Sequence, residues 1–432
     1  MTRLAKLFLY ISLFISIKAS AQSLYFPPLT GNSWDTISPA SLNWCPQRID
    51  SLYTFLQKNN SKGFIILKDG KIVLEKYFGS FTTDSFYYWA SAGKSLTATL
   101  AGIAQEQGYF NINDSVSKYL GVGWTSCTPQ QEKNIKIKHL LTMTSGLDDI
   151  PPSPCTNEDK TVGCLLYLKD AGTRWSYHTG AYRTTEDVIA AASNMTYNNF
   201  TKNNLGNKIG MGGFWFSSVY YSKLRDMARF GLLTLNKDVW ANDTILHDTA
   251  YYKAMTNTSQ NFNLAYGYLW WLNGKSSMMV PGLQQVFNIS LIPNAPADMF
   301  CALGKNDQKI YVIPSKKMVV VRMGEAAATS QLALTAFDNE LWAKINELNC
   351  PIGINRTNVS SKTIVSPNPF TNFIHLENSS PENIYDLIDG RGKLIYSGKF
   401  IENENFELLP VGIYFLRIRN NENIDCLKLI KK

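Results

Sequence analysis

The feature that most constrains the fold is a short segment, Ser91 to Lys94, that leads into an apolar helical pattern. After Lys94, apolar residues recur three and four positions apart, at Leu96, Leu100, Ile103 and Ala104. This spacing predicts a helix with one buried face that ends at Gly108. Ser91 is therefore expected at the first turn of a helix that packs against a hydrophobic core.

A serine and a lysine at this spacing have the geometry of an activated nucleophile. Residues three apart on a helix share a face, so the Lys94 amine can reach the Ser91 hydroxyl. Burial and the positive end of the helix dipole both disfavour the ammonium form, which lets Lys94 accept a proton. The backbone N–H of Ser91, at the start of the helix, can donate to an oxyanion.

The Ser-x-x-Lys pattern is loose, and this chain contains it twice. The second match, Ser115 to Lys118, follows Asn113 and Asp114 and is typical of a capped turn at the surface. Only Ser91 has strand-like aromatic residues before it and a long apolar pattern after it. From this segment alone, catalysis and an ordinary helix N-terminus both remain open.

Other segments place this helix in a mixed fold. Residues 63–77 form two β-rich runs around Asp69-Gly70, which predicts a hairpin, and 49–56 is an amphipathic helix pattern.

His139 lies within a segment predicted to be structural. The loop Gly172–Tyr182 is polar and aromatic, and we expect Tyr177 to act as a general base if positive charge nearby lowers its pKa.

The N-terminal residues predict export. Arg3 and Lys6 precede an apolar run at 7–17, and small residues at 19–21 complete a signal peptide over residues 1–21. No other stretch is long enough to span a bilayer. The net charge of +8 is scattered, without a nucleic-acid motif, and no Cys-x-x-Cys or His-Glu-x-x-His pattern suggests a metal.

Seven cysteines in an exported chain allow disulfide bonds and leave at least one thiol unpaired. Cys155 and Cys164 can close a short loop, and Cys45 and Cys350 can join the two ends of the main domain. Buried free thiols are an equally good interpretation of the same residues.

Three segments together resemble the serine β-lactamase and penicillin-binding superfamily, especially its class C and family VIII esterase branch. Ser91 to Lys94 matches the first motif of that superfamily. Tyr177-His178-Thr179 is similar to the second motif, Tyr-x-Asn, with threonine in place of asparagine. Residues 141–147 resemble a segment between these motifs, and the likeness extends over roughly 42–348.

The resemblance implies an α/β (α+β) fold in residues 22–352, with an antiparallel sheet flanked by helices and a separate helical region. It also implies that Ser91 attacks a carbonyl to form an acyl-enzyme, while Lys94 and Tyr177 share the proton transfers. No metal or organic cofactor is needed. Four aromatic residues can line an apolar pocket, although a core position suits each of them better: Tyr182, Trp215, Tyr268 and Trp270. Tyr182 is favoured among them because it shares the Tyr177 loop.

The third motif of the superfamily, Lys-Thr-Gly, is missing. Its place is taken by Phe300–Gln308, where a backbone N–H near Ala302 is expected in the oxyanion hole and Lys305 or Asn306 is expected to contact substrate. This departure favours a small ester or amide substrate, as in branches resembling 6-aminohexanoate-dimer hydrolase. A β-lactamase, a D,D-peptidase and a non-catalytic binding protein remain the alternatives.

The C-terminal residues differ in character from the rest of the chain. A polar linker is predicted at 353–362, followed by short alternating strands that predict a small antiparallel β-sandwich at 363–432. Pro367-Asn368-Pro369 and the closing Lys431-Lys432 resemble a sorting domain of type IX secretion. That resemblance implies the secretion machinery as a partner and passage through the periplasm to the cell surface or outside. A carbohydrate-binding module is the alternative.

Overall fold

A computed structural model describes residues 24–328, 335–350, 363–419 and 424–432. The chain divides into two compact units between Asn349 and Cys350, and each unit has its own hydrophobic core. The predicted signal peptide at 1–21 and the predicted linker at 353–362 lie outside the described residues.

A six-stranded sheet forms the centre of the first unit. Its strands are β1 (Ser61–Lys68), β2 (Lys71–Tyr77), β3 (Trp271–Leu272), β4 (Phe300–Gly304), β5 (Gln308–Ile313) and β6 (Met318–Gly324). The spatial order is β2-β1-β6-β5-β4-β3, and all neighbouring strands run antiparallel. The predicted hairpin is confirmed: Asp69 (φ 51°) and Gly70 (φ 83°) both adopt the left-handed backbone that a tight turn between β1 and β2 requires.

Helices cover both faces of this sheet. On one face, helix Leu224–Leu235 packs so closely that a Cβ added at Gly231 would lie 2.5 Å from Val319 Cγ1. On the other face, Tyr311 donates a 2.6 Å hydrogen bond to Asp338 of helix Ala336–Asn346. The fold class predicted from the sequence, an antiparallel sheet flanked by helices, is therefore confirmed.

The remaining elements of the first unit are mostly helical. Apart from Pro46–Lys58, which precedes β1, the helices that follow lie between β2 and β4 in the sequence. The other helices are Pro46–Lys58, Gly93–Glu106, Ser117–Leu120, Pro129–Lys133, Ile137–Leu141, Thr179–Ser193, Tyr197–Thr201, Asn207–Ile209 and Thr249–Met255. Two small antiparallel sheets accompany them: Tyr87–Tyr88 with Phe214–Phe216 and Val219–Ser222, and Val239–Trp240 with Asp243–Thr244.

The second unit is rich in β-structure. Its strands are Ile364–Ser366, His375–Glu377, Ile384–Asp389, Leu394–Gly398, Gly412–Arg419 and Ile424–Lys431. They form a two-stranded and a four-stranded antiparallel sheet. Its core includes Phe370, Leu387 and Leu416, each with no exposed surface.

The cysteines of the described residues divide between disulfides and free thiols. Cys155 and Cys164 form a disulfide bond, which confirms that hypothesis. Cys45 and Cys350 are also disulfide-bonded. Cys127, Cys301 and Cys426 are free, and Cys301 is buried.

Candidate active site

Ser91 lies in a tight turn that the core holds in place. Residues 90–92 form one 3-10 turn, which continues directly into the helix Gly93–Glu106. Just before it, the buried Trp89 donates a hydrogen bond from Nε1 to Ser222 Oγ at 2.8 Å. Ala90 adopts a left-handed backbone with φ of 48°, which turns the chain sharply from Trp89 into the helix. The serine is thus presented at the start of a rigid, core-packed helix.

Lys94 lies against Ser91, as the three-residue spacing predicts. Its amine donates to Ser91 Oγ at 2.9 Å, and the residue is only 3% exposed. Burial lowers the pKa of Lys94 to about 7, and the nearby Arg183 guanidinium adds to this effect, while Glu158 and Glu186 oppose it. A substantial share of the amine is therefore neutral near pH 7 and able to accept a proton.

The second Ser-x-x-Lys match has a different environment. Lys118 donates to Asp114 at 2.8 Å, and its side chain is 59% exposed. Ser115 accepts a hydrogen bond from the backbone N–H of Ser117. This segment leads into the short helix Ser117–Leu120, and its lysine is exposed to solvent, as the sequence predicts.

Tyr177 lies beside both Ser91 and Lys94. The Lys94 amine is 5.1 Å from the centre of the Tyr177 ring and 4.6 Å from that of Tyr182. Burial raises the pKa of Tyr177 to about 12, although a side-chain hydrogen bond with Ser91 acts in the opposite direction. The expectation that positive charge lowers this pKa is therefore wrong, because burial dominates. Tyr177 keeps its proton at neutral pH.

The Tyr177 loop is fixed by Asn157. The Asn157 side chain donates to the carbonyl of Tyr177 at 3.0 Å and accepts from the backbone N–H of Thr179 at 2.9 Å. Upstream, the Ser176 N–H donates to the carbonyl of Met143 at 2.9 Å. Residues 141–147, which contain Met143, thus support the loop that carries Tyr177.

The end of strand β4 closes the site. Gly304 packs so tightly on the Ser91 turn that an added Cβ would lie 2.4 Å from the carbonyl oxygen of Trp89. Asn306 (φ 58°) donates from Nδ2 to the Tyr88 hydroxyl at 2.7 Å. Ala302 is buried in β4, two residues before Gly304, and does not line either of the cavities described next.

The buried side chain of Gln308 fixes the turn between β4 and β5 by hydrogen bonds to backbone carbonyls. Its Nε2 donates to the carbonyl of Asn306 at 3.0 Å and to that of Gly324 at 2.5 Å. Arg322, also buried, donates to the carbonyl of Asp307 at 2.8 Å. These bonds fix the backbone of the turn that faces Ser91.

Two cavities meet at Ser91. One has a volume of about 260 Å³, and its lining includes Ser91, Tyr177, Trp271, Gly304, Lys305 and Asn306. The other has a volume of about 300 Å³, and its lining includes Ser91, Lys94, Tyr182, Arg183, Tyr221 and Lys305. Ser91, Lys94 and Tyr177 thus come together as the sequence suggests, and Lys305, Asn306 and Tyr182 lie around them.

Several residues at the site were not found from the sequence. Trp271 of β3 stacks on Tyr177, with ring centres 5.9 Å apart, and Arg183 and Glu158 line the second cavity. Nothing in the local pattern distinguishes them from surface or core residues. Conversely, His139 accepts a hydrogen bond from the Lys136 N–H at its own helix start, in keeping with the structural role predicted for it.

Residues 57–339 match the β-lactamase family. This chain belongs to the β-lactamase family. The flp protein of Staphylococcus aureus (strain NCTC 8325 / PS 47) is 26% identical over 236 residues, or 49% of this chain. The provisionally named penicillin-binding protein PbpX of Bacillus subtilis (strain 168) is 27% identical over 173 residues, or 36% of it. The matches cover 46% of flp and 41% of PbpX, less than half of either protein.

Solved structures of the β-lactamase fold agree. A provisionally named 6-aminohexanoate-dimer hydrolase from Bacillus anthracis has a TM-score of 0.56 and 18% identity over 74% of this chain and 88% of that one. A class C β-lactamase mutant has a TM-score of 0.53 and 16% identity over 70% and 98% of the two chains. At these identities the likeness establishes the fold. The family is one of serine hydrolases that transfer acyl groups.

Residues 365–432 match the secretion system C-terminal sorting domain, which indicates export by type IX secretion. Within the described part of the chain, no helix has both the length and the hydropathy to cross a membrane. The residues that the structure describes contain no group of three or more His, Cys, Asp or Glu side chains placed to hold a metal ion.

Proposed function

We propose that this protein is an exported serine hydrolase that cleaves an ester or amide bond through an acyl-enzyme on Ser91. The observation that carries the proposal is the 2.9 Å contact between the buried Lys94 amine and Ser91 Oγ. Burial keeps much of this amine neutral, so that it can take the hydroxyl proton as Ser91 attacks the substrate carbonyl.

The proton transfers divide between Lys94 and Tyr177. As the bond between Ser91 Oγ and the carbonyl carbon forms, the serine proton moves to Lys94, and the carbonyl oxygen becomes an oxyanion. Because Tyr177 is protonated at neutral pH, it can pass a proton to the leaving group as the scissile bond breaks, and Lys94 then reprotonates it. In deacylation, a water molecule attacks the acyl carbon and its proton moves to Lys94. The bond between that carbon and Ser91 Oγ then breaks, the carboxylic acid leaves, and Lys94 returns the proton to Ser91 Oγ.

The oxyanion is stabilised in this proposal by two backbone N–H groups. One is that of Ser91, and the other belongs to the end of β4, where Gly304 lies against the Ser91 turn. We take Lys305, the residue after Gly304, as the second donor, which is close to but not at Ala302. Loss of one such donor typically costs about 3 kcal/mol of transition-state stabilisation.

The substrate proposed is a small-molecule ester or amide other than a β-lactam. The Lys-Thr-Gly motif, which in the superfamily helps to bind a β-lactam carboxylate, does not occur in Phe300–Gln308. Ala302 and Leu303, which precede Gly304, are buried, whereas Ser91, Lys94 and Tyr177, the residues proposed for acylation, lie together.

The test is intact mass spectrometry after incubation with a penicillin, together with hydrolysis of p-nitrophenyl acetate. The proposal expects ester turnover that Ser91→Ala abolishes and no stable penicillin adduct. Ser115→Ala, in the second Ser-x-x-Lys match, is the matched control and should retain activity. A stable penicillin adduct would instead favour a penicillin-binding enzyme, and a protein that also fails to react with a fluorophosphonate would be a non-catalytic binding protein.

Export through the periplasm is part of the same proposal, with residues 1–21 as the signal peptide and 363–432 as the sorting domain. Deleting Thr363–Lys432 should leave the hydrolase in the periplasm, because the truncated chain lacks the segment that the secretion machinery recognises. Immunoblots of periplasmic and culture fractions would measure this, and unchanged secretion of the truncated chain would contradict it.

A further inference from the structure

A small three-stranded sheet forms one wall of the site. Its strands lie in the order Tyr87–Tyr88, Val219–Ser222, Phe214–Phe216. Because side chains alternate along a strand, one face of this sheet turns inward and the other outward. The inward face carries Trp215, 8% exposed, and Tyr220, 2% exposed, which pack in the core with ring centres 5.0 Å apart.

The outward face is aromatic instead of polar. Tyr221 pairs with Tyr88 on one side and with Phe214 on the other, so these three side chains stand in a row across the sheet. Phe214 is 47% exposed, and Phe216, two residues further on, is 66% exposed. A solvent-facing side of an antiparallel sheet is usually polar, and a contiguous apolar patch on a surface usually marks a binding site.

This face, defined here as Tyr88, Phe214, Phe216, Val219 and Tyr221, begins at the nucleophile. Three of its members, Tyr88, Val219 and Tyr221, line the 300 Å³ cavity that contains Ser91 and Lys94. From there the row continues outward, because Phe214 stacks on Tyr221 with ring centres 5.5 Å apart and planes within 9°. The reactive cavity and the exposed aromatic surface are therefore continuous.

We propose that this aromatic face binds a long apolar chain of the substrate, so that the preferred substrates are esters or amides with an extended alkyl group. Parallel rings standing on a sheet expose their edges and form a ridged hydrocarbon surface, which suits an alkyl chain better than a flat sugar. Two strand spacings separate Tyr88 from Phe214, roughly 10 Å, a distance that an octanoyl chain spans and an acetyl group does not. This inference rests on the proposed hydrolase function.

The kinetic test compares p-nitrophenyl octanoate with p-nitrophenyl acetate. The wild-type protein should prefer octanoate in kcat/KM. Phe214→Ala and Phe216→Ser should each lower the octanoate-to-acetate ratio by about fivefold or more, since each contacting methylene contributes to binding. Phe262→Ala is the matched control: Phe262 is also 40% exposed but does not line either cavity, so the ratio should stay unchanged. An unchanged ratio in both test variants would overturn the proposal.

A binding experiment separates this inference from the proposed function. Calorimetric titration of Ser91→Ala with octanoate and with acetate requires no turnover. Octanoate should bind at least tenfold more tightly, and adding Phe214→Ala should remove most of that difference. Octanoate binding without any ester hydrolysis would refute the hydrolase function but support the aromatic site. Equal binding of the two acids would refute the aromatic site. So would a Phe214→Ala variant that binds octanoate unchanged and only loses self-association in light scattering, because the face would then be a contact between copies of the chain.

Discussion

The titration of Lys94 provides a sharp test of the proposed chemistry, because two neighbouring charges act on it in opposite directions. Burial lowers the pKa of Lys94 from 10.5 to about 7. At pH 7 about half of the amine is then neutral, against about one part in 3,000 at the unperturbed pKa, a difference worth about 5 kcal/mol. The acid limb of the kcat/KM profile should therefore have its midpoint near pH 7.

Arg183 and Glu158 allow the electrostatic cause to be separated from structural damage. They form an ion pair with each other, at 3.3 Å between Arg183 NH2 and Glu158 Oε2. Arg183 lowers the pKa of Lys94, whereas Glu158 raises it. Arg183→Gln should therefore move the acid limb to higher pH, and Glu158→Gln should move it to lower pH, although both substitutions break the same ion pair.

The assay is the pH dependence of kcat/KM for p-nitrophenyl acetate in a pH-stat, at low and high ionic strength. The Glu158→Gln shift should shrink more with salt, because the Glu158 side chain is 63% exposed and thus better screened. Lys118→Met, in the second Ser-x-x-Lys match, is the control and should reproduce the wild-type profile. Shifts in the same direction for both variants, or an acid limb near pH 10, would refute the reasoning.

Three further predictions concern the support of the site and the fold. Gly304→Ala should lower kcat/KM by about a hundredfold while the circular dichroism stays native-like. The added Cβ would lie 2.4 Å from the Trp89 carbonyl oxygen and push β4 away from the Ser91 turn. Wild-type activity would contradict this. Asp238 is buried, neither carboxylate oxygen has a hydrogen-bond partner among the described residues, and burial raises its pKa to about 8. Since the folded state holds a proton that the unfolded state has lost, the free energy of unfolding should fall by about 1.4 kcal/mol per pH unit between pH 5 and 7 relative to Asp238→Asn, measured by urea titration; parallel pH profiles would contradict this. Replacing Cys155 and Cys164 with serine should lower the unfolding free energy by about 2.7 kcal/mol. The disulfide joins residues with a sequence separation of 9, and without it the unfolded chain regains the entropy that closing this loop removes. A variant that melts like the wild type would argue against this.

The sequence predicts the parts of the site that depend on local geometry. Ser91 lies in the 3-10 turn and Lys94, three residues later, in the helix that continues it, so their contact follows from the local helical spacing. Tyr177 was found through its motif, but the direction of its pKa shift was not, because Trp271, which stacks on its ring, comes from a strand far along the chain. The tight contact between Gly304 and Trp89 is equally non-local.

The same distinction applies to the third motif. Without Lys-Thr-Gly, the sequence offered only the strand around Ala302 as a source of the second oxyanion donor. Which residue of that strand meets Ser91 depends on how the β4–β5 hairpin is held, and buried side chains of Gln308 and Arg322 do that by donating to the carbonyls of its turn. Such packing depends on the whole sheet and has no signature in a short motif.

In the small sheet beside Ser91, two strands carry core residues on one face and residues that face the opening of the site on the other. Trp215 and Tyr220 face the core, while their immediate neighbours Phe214, Phe216 and Tyr221 face the opening. A substitution at an outward position changes the surface proposed to bind substrate without altering the volume of the core. Single substitutions can therefore change the range of substrates with little loss of folding stability. An inserted or deleted residue would instead turn the inward-facing side chains outward and the outward-facing ones inward, and so disrupt both the core and the binding surface.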